Sequence, residues 1–419
     1  MPPLLLLGLL ATAPPVQAAP EPPRPAQRDP DAVARARHVP GEGLEFTTAD
    51  GRFSLQLRAR LQVRYDFVAP SVPDRPTTGT LQIRRARLQL KGNAFGRHNR
   101  YYIQFGFSPA DQTNGLIAGT GSIRRNPIRD ARLEFDHLRD FTLFVGQMKI
   151  PFSRQRVISS GNQSMVDRSI ANAEFQLDRD IGVQALSRDV GGIGWLTYNA
   201  GVFMGEGRNA FEPSDFGLLY VARVEALPLG PFDDYSEGDL ARSKRPGLSL
   251  GAAYAFHDRA IGDRGVHGEI PADGGTTDLH NVTADVFFKW CGAAFHGAFH
   301  WRKAARRNPG DALDEEMQPI STARPRDGLG GLAQLSWILP QIPLEFAGRY
   351  SFVRRIGGDT SAIQWRDELG PGVSYYFAGH NLKLQLDYFR VWGEDTGAGV
   401  SQAIRRGTDR VRLQVQLAF

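Results

Sequence analysis

Residues 411–419 read VRLQVQLAF. Val411, Leu413, Val415, Leu417 and Phe419 fall on one face, and Arg412, Gln414 and Gln416 on the other. The repeat is two residues, that of a β-strand with one apolar and one polar side. Nothing in a water-soluble sheet calls for a strand that runs out on a terminal Phe. The pattern recurs near the other end of the chain in FSLQLRARLQVRYDF, residues 53–67. There Phe53, Leu55, Leu57, Ala59, Leu61, Val63 and Tyr65 alternate with Ser54, Gln56, Arg58, Arg60, Gln62 and Arg64. One face is greasy and the other strongly basic.

Alternation alone fits both a soluble sandwich, with its apolar side inward, and a membrane barrel, with lipid outside and a polar lumen. Length separates them. The 53–67 stretch is long beside the ~5–6 residues of an ordinary globular strand and suits the ~9–11 residues that cross a bilayer at a tilt. Arg132, Glu134 and Asp136 alternate with Ala131, Leu133 and Phe135, and Lys383, Gln385 and Asp387 with Leu382, Leu384, Leu386 and Tyr388. Ala378-Gly379-His380-Asn381 reads as a tight turn and DALDEEMQPISTARPRDG, 311–328, as a long polar loop. Short turns at one end and long loops at the other suit a transmembrane antiparallel β-barrel.

The rest of the chain supports export. MPPLLLLGLLATAPPVQAAP opens with an apolar run, Leu4 to Ala13, followed by small residues, so 1–19 is expected to be a signal peptide; only the terminal amine supplies its positive charge. That run is about half the ~20 residues of a membrane-spanning helix, and no later stretch approaches one. The single cysteine, Cys291, excludes a disulfide scaffold for 419 residues. Residues 20–43, rich in Pro and Arg, read as a solvated periplasmic segment, not a nucleic-acid-binding one. The barrel is expected over 44–419, in the outer membrane of a Gram-negative bacterium.

Of 50 basic residues only six are lysine (Lys91, Lys149, Lys244, Lys289, Lys303 and Lys383), which leaves 44 arginines against 45 acids. Genomic base composition accounts for such a bias as well as function does, but arginine also suits bidentate binding of phosphate and carboxylate.

Three segments resemble the phosphate-selective porin O and P family: RRARLQLKGNAFGRHNRYYIQFGFS (84–108), DARLEFDHLRDFTLFVGQMKIPFSRQRVISSGNQSMVDRS (130–169), in which GQMKIPF is the most distinctive stretch, and the aromatic-ended last strand. The resemblance covers the first half of the barrel well and the second by pattern only. It implies 16 strands, a homotrimer, and a third loop folded into the pore as a constriction; spacing by itself would also fit 14 or 18 strands. It implies that the strand ending at Phe419 is read by the barrel assembly machinery. It places Arg84, Arg85, Asp130, Arg156, Ser159, Ser160 and Arg168 at positions that line the family's phosphate site. Arg156 stands where the family tends to have lysine.

An anion leaving water needs new donors, and guanidiniums and hydroxyls supply them. The loop after Pro151 and Phe152 offers Arg154, Arg156, Ser159, Ser160 and Arg168 without apolar periodicity. Arg58, Arg60 and Arg64 would add a basic ladder, with about a third of these arginines paired to acids of neighbouring strands. The expected solutes are phosphate or other small anions. A general or organic-anion porin, or a non-transporting barrel, structural or enzymatic, are the other readings. No catalytic or cofactor motif occurs. His296 and His300 share a strand face but fit a lumen wall better than a metal site. Asp311, Asp314, Glu315 and Glu316 lack calcium-ligand spacing and suit a solvated or lipopolysaccharide-bridging loop. Trp290, Trp301, Trp337, Trp365 and Trp392 are expected in aromatic girdles.

Overall fold

The computed structural model describes residues 35–39, 41–71, 76–112, 126–209, 217–268, 270–307, 313–314, 316–318, 320, 322–394 and 406–419. The expected signal peptide, most of the 20–43 segment, Asp311 and Glu315 lie outside the described residues.

Sixteen antiparallel strands form a closed barrel. They are β3 (Ser54–Pro70), β4 (Thr78–Asn93), β5 (Asn99–Gly106), β6 (Ile128–Leu138), β7 (Phe141–Lys149), β8 (Arg179–Ser187), β9 (Leu196–Phe203) and β10 (Leu219–Ala226) in the first half. The second half is β11 (Gly247–Ala260), β12 (Thr276–Trp290), β13 (Ala293–Arg307), β14 (Gly328–Ile338), β15 (Leu344–Arg355), β16 (Arg366–Ala378), β17 (Leu382–Gly393) and β18 (Arg406–Ala418). Each strand pairs with the next, and β18 returns to β3 in a register that sets Leu413 against Tyr65 and Gln414 against Arg64. The seam ends with Phe419 and Ala59 exchanging backbone hydrogen bonds, at 3.0 and 2.7 Å. The 16 strands implied by the resemblance, and the all-β class, are therefore those observed. A short hairpin, β1 (Arg35–Val39) and β2 (Gly43–Thr47), precedes the barrel; β2 pairs with the start of β3, and Arg37 and Glu45 bridge the hairpin at 2.8 Å. Strand structure thus begins inside the segment expected to be a spacer.

The wall is inside-out relative to a soluble sheet. On β3, Gln56, Arg60, Gln62 and Arg64 are buried in the lumen while Leu61, Tyr65 and Phe67 are exposed on the outer surface. Two aromatic rings mark the edges of that surface. Trp195, Trp290, Trp337, Phe377 and Phe419 are exposed at the short-turn end, and Tyr220, Tyr254, Tyr350 and Tyr388 towards the long-loop end, where the amphipathic rings meet the two lipid–water interfaces. Of the tryptophans expected in girdles, Trp290 and Trp337 are exposed in one; Trp301, Trp365 and Trp392 are partly covered near the long-loop end.

At the short-turn end β12 and β13 are joined by Cys291 and Gly292 alone, both left-handed at φ 50° and 89°. This is a tight hairpin turn in which a Cβ on Gly292 would lie 2.9 Å from the Ile338 carbonyl. One connection at this end departs from the rule: residues 227–246, between β10 and β11, are as long as an outer loop and turn back into the lumen.

The lipid-facing assignment is open to test. Leu386, exposed on the outer face near the middle of β17, changed to Arg should lower stability by about 2–4 kcal/mol in urea unfolding from lipid vesicles if it sits near the midplane. A soluble-type sheet would tolerate the same substitution.

Candidate functional site

The lumen is organised by the third long loop, residues 150–178, between β7 and β8. It contains two helical turns, α2 (Arg154–Val157) and α3 (Ile170–Phe175), α3 being capped by the Ser169 hydroxyl, which accepts from the Asn172 N–H. The loop folds inward, as the resemblance implied. It also buries far more apolar surface than its sequence advertised: Ile150, Phe152, Ile158, Met165, Val166, Ala171, Phe175 and Leu177 are all essentially inaccessible. Ile150, Phe152 and Leu177 join Met148, Leu186, Phe203, Leu219, Val221, Ala253, Ala255 and Val266 in an apolar core inside the barrel. The absence of periodicity did not reveal this, because an irregular loop packs by position and not by repeat.

Polar contacts fix the loop to the wall on either side of the β18–β3 seam. Arg60 donates to the Ser159 and Ser160 hydroxyls at 3.0 and 3.1 Å, and Gln62 to the Ser160 carbonyl. Two and three strands round the barrel from β3, on β17 and β16, Lys383 donates to the Gln163 carbonyl at 2.6 Å, Asp387 accepts from the Val166 N–H at 2.9 Å, and Glu368 accepts from the Ile170 N–H at 3.2 Å. At the loop's base Arg154 is wholly buried against Asp285 at 2.5 Å, Asp234 at 2.7 Å and Glu225 at 3.1 Å, with Arg223 bridging Glu225 and Asp285. Asp234 comes from the inward-turned 227–246 connection, whose Glu237 accepts from the Ser164 N–H at 3.0 Å. Arg154, expected as a pore donor, is instead an internal fastening: five charges share one cluster, so its guanidinium is spent on carboxylates.

Beside the loop lies a cavity of about 860 Å³ lined by the β4–β10 wall, the loop and the 227–246 connection. Arg84, Arg85, Asp130, Arg156, Ser159, Ser160 and Arg168 line it; Arg58, Arg60 and Arg64 do not. Arg58 reaches Asn381 in the turn between β16 and β17, at 3.1 Å, and Arg60 holds the loop serines. Arg64 is bridged to Asp66 and Asp167, both at 2.8 Å. The basic ladder on β3 therefore serves the loop more than the passage. Pairing is also more extensive than the expected third: Arg84 and Arg85 meet Asp167 at 3.4 and 3.5 Å, and Arg156 meets Asp178. Asp130 is bound by Arg179 through both carboxylate oxygens, at 3.0 and 3.1 Å, so its part is to orient that arginine.

Sequence reading missed Arg87, Arg129, Arg132, Lys149, Arg179 and Arg208, which line the same cavity. Arg87 was within reach, lying two residues beyond Arg85 and so on the same strand face. Arg179 and Arg208 come from separate segments and carried no local signal. Along the cavity Arg87 and Arg129 share Asp111, at 2.6 and 3.1 Å, while Asp178 is met by Arg156, by Arg179 at 3.1 Å and by Arg208 at 4.0 Å. Lys149 and Arg168 donate to backbone carbonyls, of Val157 and of Gln155 and Ile158, which offset no charge. Seven cations, Arg87, Arg129, Lys149, Arg156, Arg168, Arg179 and Arg208, thus face three carboxylates, Asp111, Asp130 and Asp178.

Titration follows this surplus. Burial and then the neighbouring arginines, Arg168 and Arg179 first, lower the pKa of Arg156. Burial followed by Arg156 and Arg264 pushes the His267 imidazole down to about 3, so it is neutral at physiological pH and the arginines carry the charge. The Nε atoms of Arg129 and Arg156 are buried with no hydrogen-bond partner among the described residues.

His296 and His300 face the lumen but pack against rings: His300 lies 5.9 Å from Phe175 and 6.4 Å from Phe152, and His296 lies 5.3 Å from Phe287. Among the described residues no three His, Cys, Asp or Glu side chains come together as a metal site.

A closed 16-stranded barrel with an apolar exterior, a charged lumen and an infolded third loop is the architecture of an outer-membrane porin. Residues 53–228, which hold β3 to β10, match the sequence model of the phosphate-selective porin O and P family. No curated protein matches the chain. Among solved structures it is similar to the anion-selective porin from Comamonas acidovorans, at 12% identity and TM-score 0.56, over 88% of this chain and 100% of the other. It is also similar to the outer membrane channel DcaP of Acinetobacter baumannii, at 11% identity and TM-score 0.53, over 88% and 97% of the two chains. OmpT of Vibrio cholerae, in its trimer form, matches at 11% identity and TM-score 0.51, over 88% and 99%. At these identities the likeness is one of fold.

The fastening of the loop yields a prediction. Arg154→Leu leaves Asp285 and Glu225 with Arg223 alone and takes from Asp234 its arginine, a loss of about 3–5 kcal/mol for a broken buried ion cluster. Its single-channel conductance should rise and its current noise increase as the loop leaves the lumen, whereas an unchanged conductance would mean that the apolar core alone holds it.

Proposed function

We propose that this chain is an anion-selective channel of the Gram-negative outer membrane, through which phosphate and other small oxyanions diffuse passively. The observation that carries the reading is the excess of cations over carboxylates along the cavity. In a low-dielectric constriction such an excess attracts anions and repels cations over several ångströms. Guanidiniums aimed at one point also replace the hydration shell of a tetrahedral oxyanion by bidentate hydrogen bonds. The family match over residues 53–228 supports phosphate as the first solute to try. The name of the Comamonas acidovorans relative supports anion selectivity.

The proposal includes the assembly. A homotrimer is supported by the trimeric form of the Vibrio cholerae relative. Insertion through the strand that ends at Phe419, and lipopolysaccharide contact at the long-loop end, complete the reading.

The purified full-length protein should be placed in a planar bilayer and its reversal potential measured under a chloride gradient, followed by titration with inorganic phosphate. Anion selectivity with saturable block supports an oxyanion channel; selectivity without block leaves a general or organic-anion porin; no conductance returns the barrel to a structural or enzymatic part. Arg129→Gln is the informative variant, since Asp111 keeps Arg87 as its partner at 2.6 Å. Its chloride-to-potassium permeability ratio should fall by roughly a factor of three to ten as one charge leaves the constriction.

A further inference from the structure

Beside the cavity, one carboxylate occupies the place where several wall arginines converge. Asp167, on the infolded loop, lies 2.8 Å from Arg64 Nη1, 3.4 Å from Arg84 Nη2 and 3.5 Å from Arg85 Nη2. These arginines come from two adjacent strands, β3 and β4. Its Oδ1 also accepts from the Arg168 N–H at 3.0 Å. Burial works against the charge on Asp167, but Arg85, Arg84, Arg64 and Arg412 outweigh it and hold the carboxyl well below its ordinary range.

Three guanidiniums arranged around two oxygens is the coordination that a phosphate or carboxylate takes when it is bound from solution. Two further facts connect the arrangement to passing ions. Arg84 and Arg85 line the open cavity, and so does Arg168. The Nε of Arg84 is buried and has no partner among the described residues, so the cluster keeps a donor that Asp167 does not use.

We propose that Arg64, Arg84 and Arg85 form an oxyanion site in the outer part of the pore, that Asp167 occupies it as a tethered counter-ion, and that this competition sets how tightly the channel holds its solute. The inference rests on the anion-channel reading above. A permeant ion must be bound well enough to enter and weakly enough to leave. Without Asp167 the three converging arginines would be offset only by Asp66, 2.8 Å from Arg64, and would hold a dianion tightly. A carboxylate carried on the loop lowers the net charge of the site and must be screened or shifted by each arriving oxyanion, so binding stays moderate.

Asp167→Asn tests this, because the amide keeps the shape and the oxygen that accepts from the Arg168 N–H while removing the charge. The probe is inorganic phosphate, titrated against chloride current through the full-length protein in planar bilayers. The half-blocking phosphate concentration should fall at least about tenfold. Asp167→Glu should stay near the wild-type value, and Asp167→Asn combined with Arg85→Gln should lose most of the gain.

An unchanged or weaker block in Asp167→Asn overturns the proposal. A merely structural clamp would give higher conductance for every ion and no tighter phosphate block, which also overturns it. Asp167→Ser, smaller and equally uncharged, should repeat the tighter block if the amide variant does not assemble; should neither assemble, Asp167 is a clamp and the proposal falls. A wild-type channel that prefers cations would overturn the reading under Proposed function itself. An anion-selective wild type whose block is untouched by Asp167→Asn overturns this inference alone.

Discussion

A backbone that crosses hydrocarbon has no water to bond to, so each N–H and C=O of every strand must find its partner on a neighbouring strand. The whole architecture follows from that requirement. An open sheet would leave two unpaired edges in lipid; closure through β18 and β3 removes both. Closure in turn gives every strand a lipid side and a lumen side, which is why hydrophobic and charged residues alternate through so much of the chain.

Having placed arginines and acids inside, the fold faces a second problem: buried charges are costly unless paired. The infolded loop answers much of it. It brings Asp167 to Arg64, Arg84 and Arg85, Asp178 to Arg179 and Arg208, and Glu174 to Arg302 and Arg326. Meanwhile its own Arg154 joins the acids of β10, β12 and the 227–246 connection. The loop is thus electrostatic filling as well as a constriction. Its apolar core around Phe152 and Leu177 makes it a rigid partition. The positive charge left over is concentrated where the loop does not supply enough acids, along the β4–β10 wall.

The inward turn of residues 227–246 completes the partition from the other end. Its Asp234 and Glu237 reach the loop, so the two segments are tied together inside the lumen, and the 860 Å³ cavity lies against the basic β4–β10 wall. Selectivity in such a pore depends less on the number of arginines in the chain than on which of them the loop leaves without a carboxylate.

The barrel itself was legible from residues alone. Period-two alternation over lengths that exceed a globular strand, as in 53–67 and 411–419, is a local property that each strand carries independently. The motif stretch 146–152 likewise located the constriction loop, and seven expected residues, from Arg84 to Arg168, do reach the cavity. Only the tertiary structure decided the rest: that Arg60, Arg64 and Arg154 fasten the loop, that Arg179 and Arg208 belong to the passage, and that Asp167 sits among the wall arginines. The physical reason is distance along the chain. Which face a side chain takes is set by its nearest neighbours in sequence, but whether a charge is neutralised depends on partners one hundred residues away, brought near by closure of the barrel and the infolding of one loop.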